Sequence, residues 1–255
     1  MRVLIVLFGF LLVTSGVLIG INYLQDGALL AKFLDKVTQD SSTQPQRIQD
    51  DLFRGGTGTG TGVDPANDPL IVAARTNNIS QLQQALKNTP VDTTDSTGMT
   101  ALMYASRGRN LESVQTLVTS GADLNLQDRS GYTALMYSAA ASFEAGVNTL
   151  LQNGANPNIK AKDGKTALDL ALESGRTGIV SSLVSSGGDV NAVTANGVTP
   201  IMYAAANGNA ANVRTLALRG ADVNAKDMCG FTPVIYAAEY GRLDALKELI
   251  AYGGN

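Results

Sequence analysis

The sequence predicts an all-α solenoid of stacked helix–turn–helix units, joined by β-turn or hairpin fingers and preceded by an apolar N-terminal helix. Three observations carry this reading. Thr100, Thr133, Thr166, Thr199 and Thr232 recur every 33 residues, each two places after a glycine (Gly98, Gly131, Gly164, Gly197 and Gly230). A second block, SGADLN at 120–125, returns as NGANPN at 153–158, SGGDVN at 186–191 and RGADVN at 219–224. Between these blocks lie two short helical patterns: ALMYAS, ALMYSA, ALDLAL, PIMYAA and PVIYAA after the threonines, and then apolar residues at i, i+3 and i+4. A period held this strictly marks an array of small units, each burying its apolar face on its neighbours.

The elements follow in chain order. Val3 to Ile21 is a run of 19 residues without charge. As a helix at about 1.5 Å per residue it nearly crosses a hydrocarbon core of about 30 Å. Residues 1–23 therefore read as a transmembrane signal anchor, or as a signal peptide cut near Thr14-Ser15-Gly16. The apolar run continues past that site, which favours the anchor. A two-residue N-terminal tail bearing Arg2 ahead of a long domain predicts a cytoplasmic N-terminus and an exported domain, periplasmic in a bacterium. The alternatives are a secreted or periplasmic protein after cleavage, and the reversed topology. Residues 24–38 place Leu29, Leu30, Phe33, Leu34 and Val37 at helical spacing and predict a short amphipathic helix. Residues 39–66, rich in Ser, Thr, Gln and Gly, cannot bury apolar area and read as a flexible linker.

Residues 67–255 hold the units: 67–98, 99–131, 132–164, 165–197, 198–230 and 231–255. Each Thr can cap a first helix, and Asp68 before Pro69 does so in the first unit. The glycine before each Thr supplies a positive φ in a tight turn. Second helices place Val114, Leu117 and Val118 on one face, then Val147, Leu150 and Leu151, then Val180, Leu183 and Val184, and finally Leu246, Leu249 and Ile250. Ala105, Ser138, Ala171, Ala204 and Ala237 let neighbouring helices approach closely. Helices of about two turns are marginal alone, so stability must come from packing between units. Ser80, Gln81, Gln83 and Gln84 in the first unit, and Arg242, Asp244, Lys247 and Glu248 in the last, predict polar caps at both ends.

The string G-x-T-[AP]-L, two short helical patterns and then G-A-D-x-N resembles the ankyrin repeat, over about residues 67–255. With the apolar leader, the resemblance implies an N-terminally anchored or secreted, bacterial ankyrin-repeat protein. One departure is consistent. Where the family carries His after T-P-L, this chain has Met103, Met136, Asp169, Met202 and Ile235, so the usual hydrogen bond of that His must be absent or replaced. The resemblance implies contact positions on a concave face at the finger tips and just after the first helices: Met99, Arg107, Arg129, Tyr132, Lys165, Glu173, Val198, Asn207, Met228, Phe231, Glu239 and Tyr240. Tyr and Phe at such positions are what interfaces favour, although packing on a neighbouring turn is the competing role. The series Tyr104, Tyr137, Tyr203 and Tyr236 reads as packing between helices, with the hydroxyls reaching the edge.

Composition narrows the chemistry. The chain has 255 residues, 19 Lys+Arg against 22 Asp+Glu, and no His. Without an excess of basic residues, no nucleic-acid role is expected. Without His, the Ser-His and Cys-His pairs and the commonest zinc ligand are gone. Cys229 is the single cysteine, so no intrachain disulfide or thiolate cage can form. Asp163, Asp169 and Glu173 are the remaining candidates for carboxylate catalysis, but they lie on a turn and a short helix with no partner base. The expected function is therefore non-enzymatic. The chain should be a membrane-tethered module with a protein partner, no catalytic residues, no cofactor, no metal and no small-molecule substrate. An exported inhibitor or immunity-type protein, or an intracellular scaffold of reversed topology, uses the same surface.

Overall fold

The computed structural model describes residues 67–255. The expectations for 1–23, 24–38 and 39–66 fall outside these residues. Among the described residues there are twelve helices and no strand. The inner helices are α1 (Pro69–Thr76), α3 (Ala101–Arg107), α5 (Ala134–Ala140), α7 (Ala167–Glu173), α9 (Pro200–Asn207) and α11 (Pro233–Glu239). The outer helices are α2 (Ile79–Ala85), α4 (Leu111–Thr119), α6 (Glu144–Gln152), α8 (Thr177–Ser185), α10 (Ala210–Leu218) and α12 (Leu243–Ala251). Inner helices pack on inner helices, outer on outer, and each inner helix on its own outer partner. The expected hairpin fingers are turns rather than paired strands. The single isolated bridge described, Thr94 to Thr100, is what remains of a hairpin.

The first turns form as the residues dictate. Asp68 accepts the Leu70 N–H at 2.8 Å, ahead of Pro69. Thr100, Thr133, Thr166 and Thr232 each accept the amide three residues on, at 3.3 to 3.4 Å. Thr199 departs from the expectation: its buried hydroxyl finds no partner, and the Met202 N–H turns to the Thr199 carbonyl at 3.0 Å. At two of the departures from His, sulfur fills in, since the Thr100 and Thr199 amides donate to Met103 and Met202 Sδ at 3.4 Å.

The core is one continuous seam between the helix layers. Leu102, Leu135, Leu168 and Ile201 occupy the same register and are buried, as are Val114, Val147, Val180 and Val213 in the outer layer. Each such side chain contributes about 2 kcal/mol over leaving it in water. Ala105, Ser138, Ala171, Ala204 and Ala237 are fully buried, which lets the inner helices approach closely. At the base of the stack an asparagine ladder crosses from unit to unit. Asn125, Asn158, Asn191 and Asn224 accept the amides of Asn156, Asp189, Asp222 and Asn255 at 2.8 to 3.0 Å.

Both ends carry exposed polar side chains, and they differ in what stands beside them. The first unit does turn exposed Ser80, Gln81, Gln83 and Gln84 outward. In the last unit Arg242, Asp244 and Lys247 are exposed, and Lys247 and Asp244 pair at 3.5 Å. Glu248 reaches back to Arg214, and the Arg242 Nε donates to the Ala206 carbonyl at 2.9 Å. Ile235, Leu243 and Ile250 are exposed there as well.

Candidate protein-binding face

Three of the five finger tips are built around a carboxylate. Asp95 Oδ1 accepts the Thr97 N–H, the Thr97 hydroxyl and the Met99 N–H at 2.7 to 2.9 Å, while its Oδ2 accepts the Tyr104 hydroxyl at 2.7 Å. Asp128 repeats this with Ser130, Tyr132 and Tyr137, and Asp227 with Cys229, Phe231 and Tyr236. Each carboxylate thus closes its own turn and ties it to the inner helix nine residues on. Burial pushes the Asp95 carboxyl up, but the hydrogen bonds from Thr97, Tyr104 and Met99 outweigh it and hold it below its ordinary value. Burial, followed by the adjacent Asp95, pushes Tyr104 up to about 12.

Sequence reasoning missed this pairing, although the signal was present. An Asp stands five residues before Thr100, Thr133 and Thr232, with a Tyr four after. In the fourth unit both partners are gone together, as Ala161 and Leu170, and in the fifth Thr194 takes the place of the carboxylate nine residues before Tyr203. There the Thr194 hydroxyl accepts the Val198 N–H at 3.1 Å, beside the backbone bonds of the same turn.

Adjacent fingers are stitched into a row. The amides of Arg129, Lys162, Ala195 and Met228 donate to the carbonyls of Thr97, Ser130, Asp163 and Asn196 at 2.9 to 3.2 Å. The row therefore presents its tips on a preformed frame. Of the expected contact residues, Arg129, Asn207, Met228, Glu239 and Tyr240 are exposed. Met228 is 79% exposed, the largest exposure among the large apolar side chains of the described residues. Arg107, Tyr132, Lys165, Glu173, Val198 and Phe231 are half-buried. Met99 corrects the expectation: it is 5% exposed, since the Arg107 guanidinium closes over its sulfur at 3.8 Å and over the Tyr104 ring at 4.8 Å. Tyr132 and Phe231 lean on Tyr137 and Tyr236, with ring centroids 5.6 and 6.1 Å apart, so each is held by packing and still shows an edge.

The middle of the face is electrostatically tuned. Lys165 and Glu173 form an ion pair at 2.7 Å. The Asn207 amide donates to the Leu172 carbonyl at 2.6 Å. Tyr132 and Tyr203 are held well above the usual phenol range, by burial first and then by the carboxylates of Asp163 and Glu173, with Asp169 also acting on Tyr203. Both remain neutral hydroxyls, able to donate a hydrogen bond, across the physiological range. Asp169 lies beneath them, 1% exposed. Its Oδ2 accepts the Thr166 N–H and hydroxyl at 2.8 Å, and its Oδ1 has no partner. Burial pushes its carboxyl up to about 6. The carboxylates weighed for catalysis do not converge: Asp163 is exposed on a finger, Asp169 is buried and Glu173 is paired with Lys165. Two shallow grooves lie instead between outer helices, one lined by Ile79, Glu112 and Thr116, the other by Asn148, Leu151 and Ser182.

Comparison with known proteins agrees with the geometry. A model of ankyrin repeats in three copies matches residues 70–161, 111–194, 140–227 and 179–255. A crystal structure of an ankyrin repeat domain from Acinetobacter baumannii AYE superposes with a TM-score of 0.69 at 32% identity, covering 73% of this chain and 98% of that one. No curated protein matches the chain significantly. Among the described residues, no helix is long and apolar enough to cross a membrane. The 33-residue stride, the paired helix layers, the stitched fingers and the family match over 70–255 make this chain a member of the ankyrin-repeat family.

Proposed function

We propose that the chain is a non-enzymatic binding module that grips a protein partner through the row of fingers and the inner-helix edges beside it. Ankyrin repeats are generally protein–protein interaction modules, and this stack has the means to be one. The observation that carries the reading is the ladder of finger-to-finger hydrogen bonds, because it fixes Arg129, Tyr132, Met228 and Phe231 on a frame that needs no ordering on contact. A preformed face saves the roughly 0.5–1.5 kcal/mol that each immobilised side chain otherwise costs. Aromatic edges at the tips, flanked by the Lys165–Glu173 pair, supply an apolar centre and a polar rim.

In this proposal residues 1–23 tether the module to a membrane with the repeats on the exported side, which raises its local concentration near membrane-bound partners. The uncharged run Val3–Ile21 supports the tether. The test is recovery of partners from native extract with the detergent-solubilised full chain, comparing wild type with Tyr132→Ala plus Phe231→Ala. The double variant should retain its helical circular dichroism and lose at least tenfold of the captured partner. Equal recovery by both proteins would count against this face.

A further inference from the structure

The seventh residue after each inner-helix cap is Arg75, Arg107, Ala140, Glu173, Ala206 and Glu239, from the first unit to the sixth. Charge at this one place therefore changes sign along the stack. Around the two arginines, α1, α3 and α5 carry no acidic residue. The finger carboxylates Asp95 and Asp128 are buried and spent on Tyr104, Tyr137 and their own turns. Both arginines act on Tyr104: burial and then Asp95 push its hydroxyl up, and Arg107 and Arg75 draw it back down. Arg107 is held in place, over the Tyr104 ring at 4.8 Å and beside the Met99 sulfur at 3.8 Å. A guanidinium stacked on a ring keeps its planar fork of donors for a second partner. Exposed Arg129 adds a third positive charge, on the finger that leads into α5. The fourth unit ends the basic stretch, with Glu173 tied to Lys165 at 2.7 Å and Asp163 exposed on its finger.

We infer, resting on the binding face proposed above, that its first three units dock an acidic, extended segment of the partner protein. Charge complementarity selects the carboxylate, which the guanidinium fork matches in geometry as well as in sign. Spacing selects the backbone. Neighbouring inner helices stand about 10 Å apart, so Arg75 and Arg107 are met in turn by acids about that far apart. A chain in the polyproline II conformation advances about 9 Å in three residues and returns every third side chain to the same side. Glu173, in the same place two units beyond Arg107, repels an acid, so the segment spans about 20 Å and stops there. A nucleic acid fits less well. Its phosphates continue past three arginines onto Asp163 and Glu173, in a chain with 22 Asp+Glu against 19 Lys+Arg.

Fluorescence anisotropy with the full chain in uncharged detergent tests this, using labelled Glu-Pro-Pro-Glu-Pro-Pro-Glu as the probe. Binding should saturate with a dissociation constant below about 1 mM in about 50 mM salt and weaken at least about fivefold in about 300 mM salt. Arg75→Ala and Arg107→Ala should each weaken it at least about threefold. Arg75→Glu plus Arg107→Glu should lose this probe and take up Lys-Pro-Pro-Lys-Pro-Pro-Lys, a gain that no misfolded variant can produce. Four results overturn the inference: no saturation by about 2 mM probe, equal binding of the lysine peptide by wild type, tighter binding of a single-stranded oligothymidylate, or undiminished binding by the charge-reversed variant. Capture of the native partner separates this inference from the face it rests on. Loss with Tyr132→Ala plus Phe231→Ala, but not with the charge reversal, overturns the acidic segment and leaves the face standing. Loss with neither overturns both.

Discussion

At Asp169 this stack works against itself. Its carboxyl is buried with one oxygen unsatisfied, and its pKa of about 6 stands above the ordinary 3.8. Below about pH 4 the folded and unfolded chains both carry the proton, and the side chain costs nothing extra. Between 4 and 6 the folded chain holds the proton that the unfolded chain has released, so stability falls as pH rises through that window and levels off above it. Two pH units correspond to roughly 3 kcal/mol. Asp169→Asn should therefore be more stable than wild type at pH 7 by about 2 kcal/mol, with the gap narrowing to about half at pH 5, as read by urea midpoints at the two pH values. A gap that stays constant between them would show that the buried charge is not what matters. Asp95 acts in the opposite sense, since its depressed carboxyl supports the fold until acid protonates it.

The turn before each inner helix shows what a single element demands. Gly121 and Gly131 share a φ of +84°. A side chain at either is strained by about 1 kcal/mol. At Gly121 an added Cβ meets open space, but at Gly131 it would lie 2.9 Å from the Lys162 nitrogen and 3.0 Å from the Ala161 Cα. Both obstacles are backbone of the next finger and cannot swing aside. Gly121→Ala should cost about 1 kcal/mol in chemical denaturation and Gly131→Ala at least about 3 kcal/mol. The need for positive φ was readable from spacing alone. The close approach of the next finger was not, because it depends on how one unit leans on another.

Across the whole stack, the Asp–Tyr pairs stand in the second, third and sixth units and are missing from the fourth and fifth. The fingers around Ala161 and Thr194 keep the backbone bonds Ala161 N–H to Lys165 and Thr194 N–H to Val198, at 2.8 and 3.0 Å, with one side-chain acceptor each: Asp163 for the Lys165 N–H and Thr194 for the Val198 N–H. Losing one hydrogen bond to a charged acceptor weakens local closure by about 1.5 kcal/mol. Amides at 162–165 and 195–198 should then exchange with deuterium about tenfold faster than those at 129–132, by mass spectrometry of the native protein. Equal protection along the row would mean that the stitching between fingers, not the carboxylate, governs opening.

Most of this architecture was legible because a repeated unit writes each of its rules five times. The threonines, the glycines and the small residues from Ala105 to Ala237 each announced themselves by recurrence. What escaped depends on pairing across nine residues, as with Asp128 and Tyr137, or on which way a charge turns, as with Arg242 and Glu248. Met99 was misread for the same reason, since its cover comes from Arg107, a turn and a helix away.

The asparagine ladder has a consequence for how such a molecule changes over generations. Every rung at the five junctions uses the same donor and acceptor places, the acceptor being Asp92 at the first and Asn at the other four, to the amide 31 residues on. An internal unit can therefore be copied or lost whole in the gene, and the flanking units meet a surface they already recognise. Inheritance can tune the reach of this protein in whole modules while its hydrogen-bonded seam stays closed.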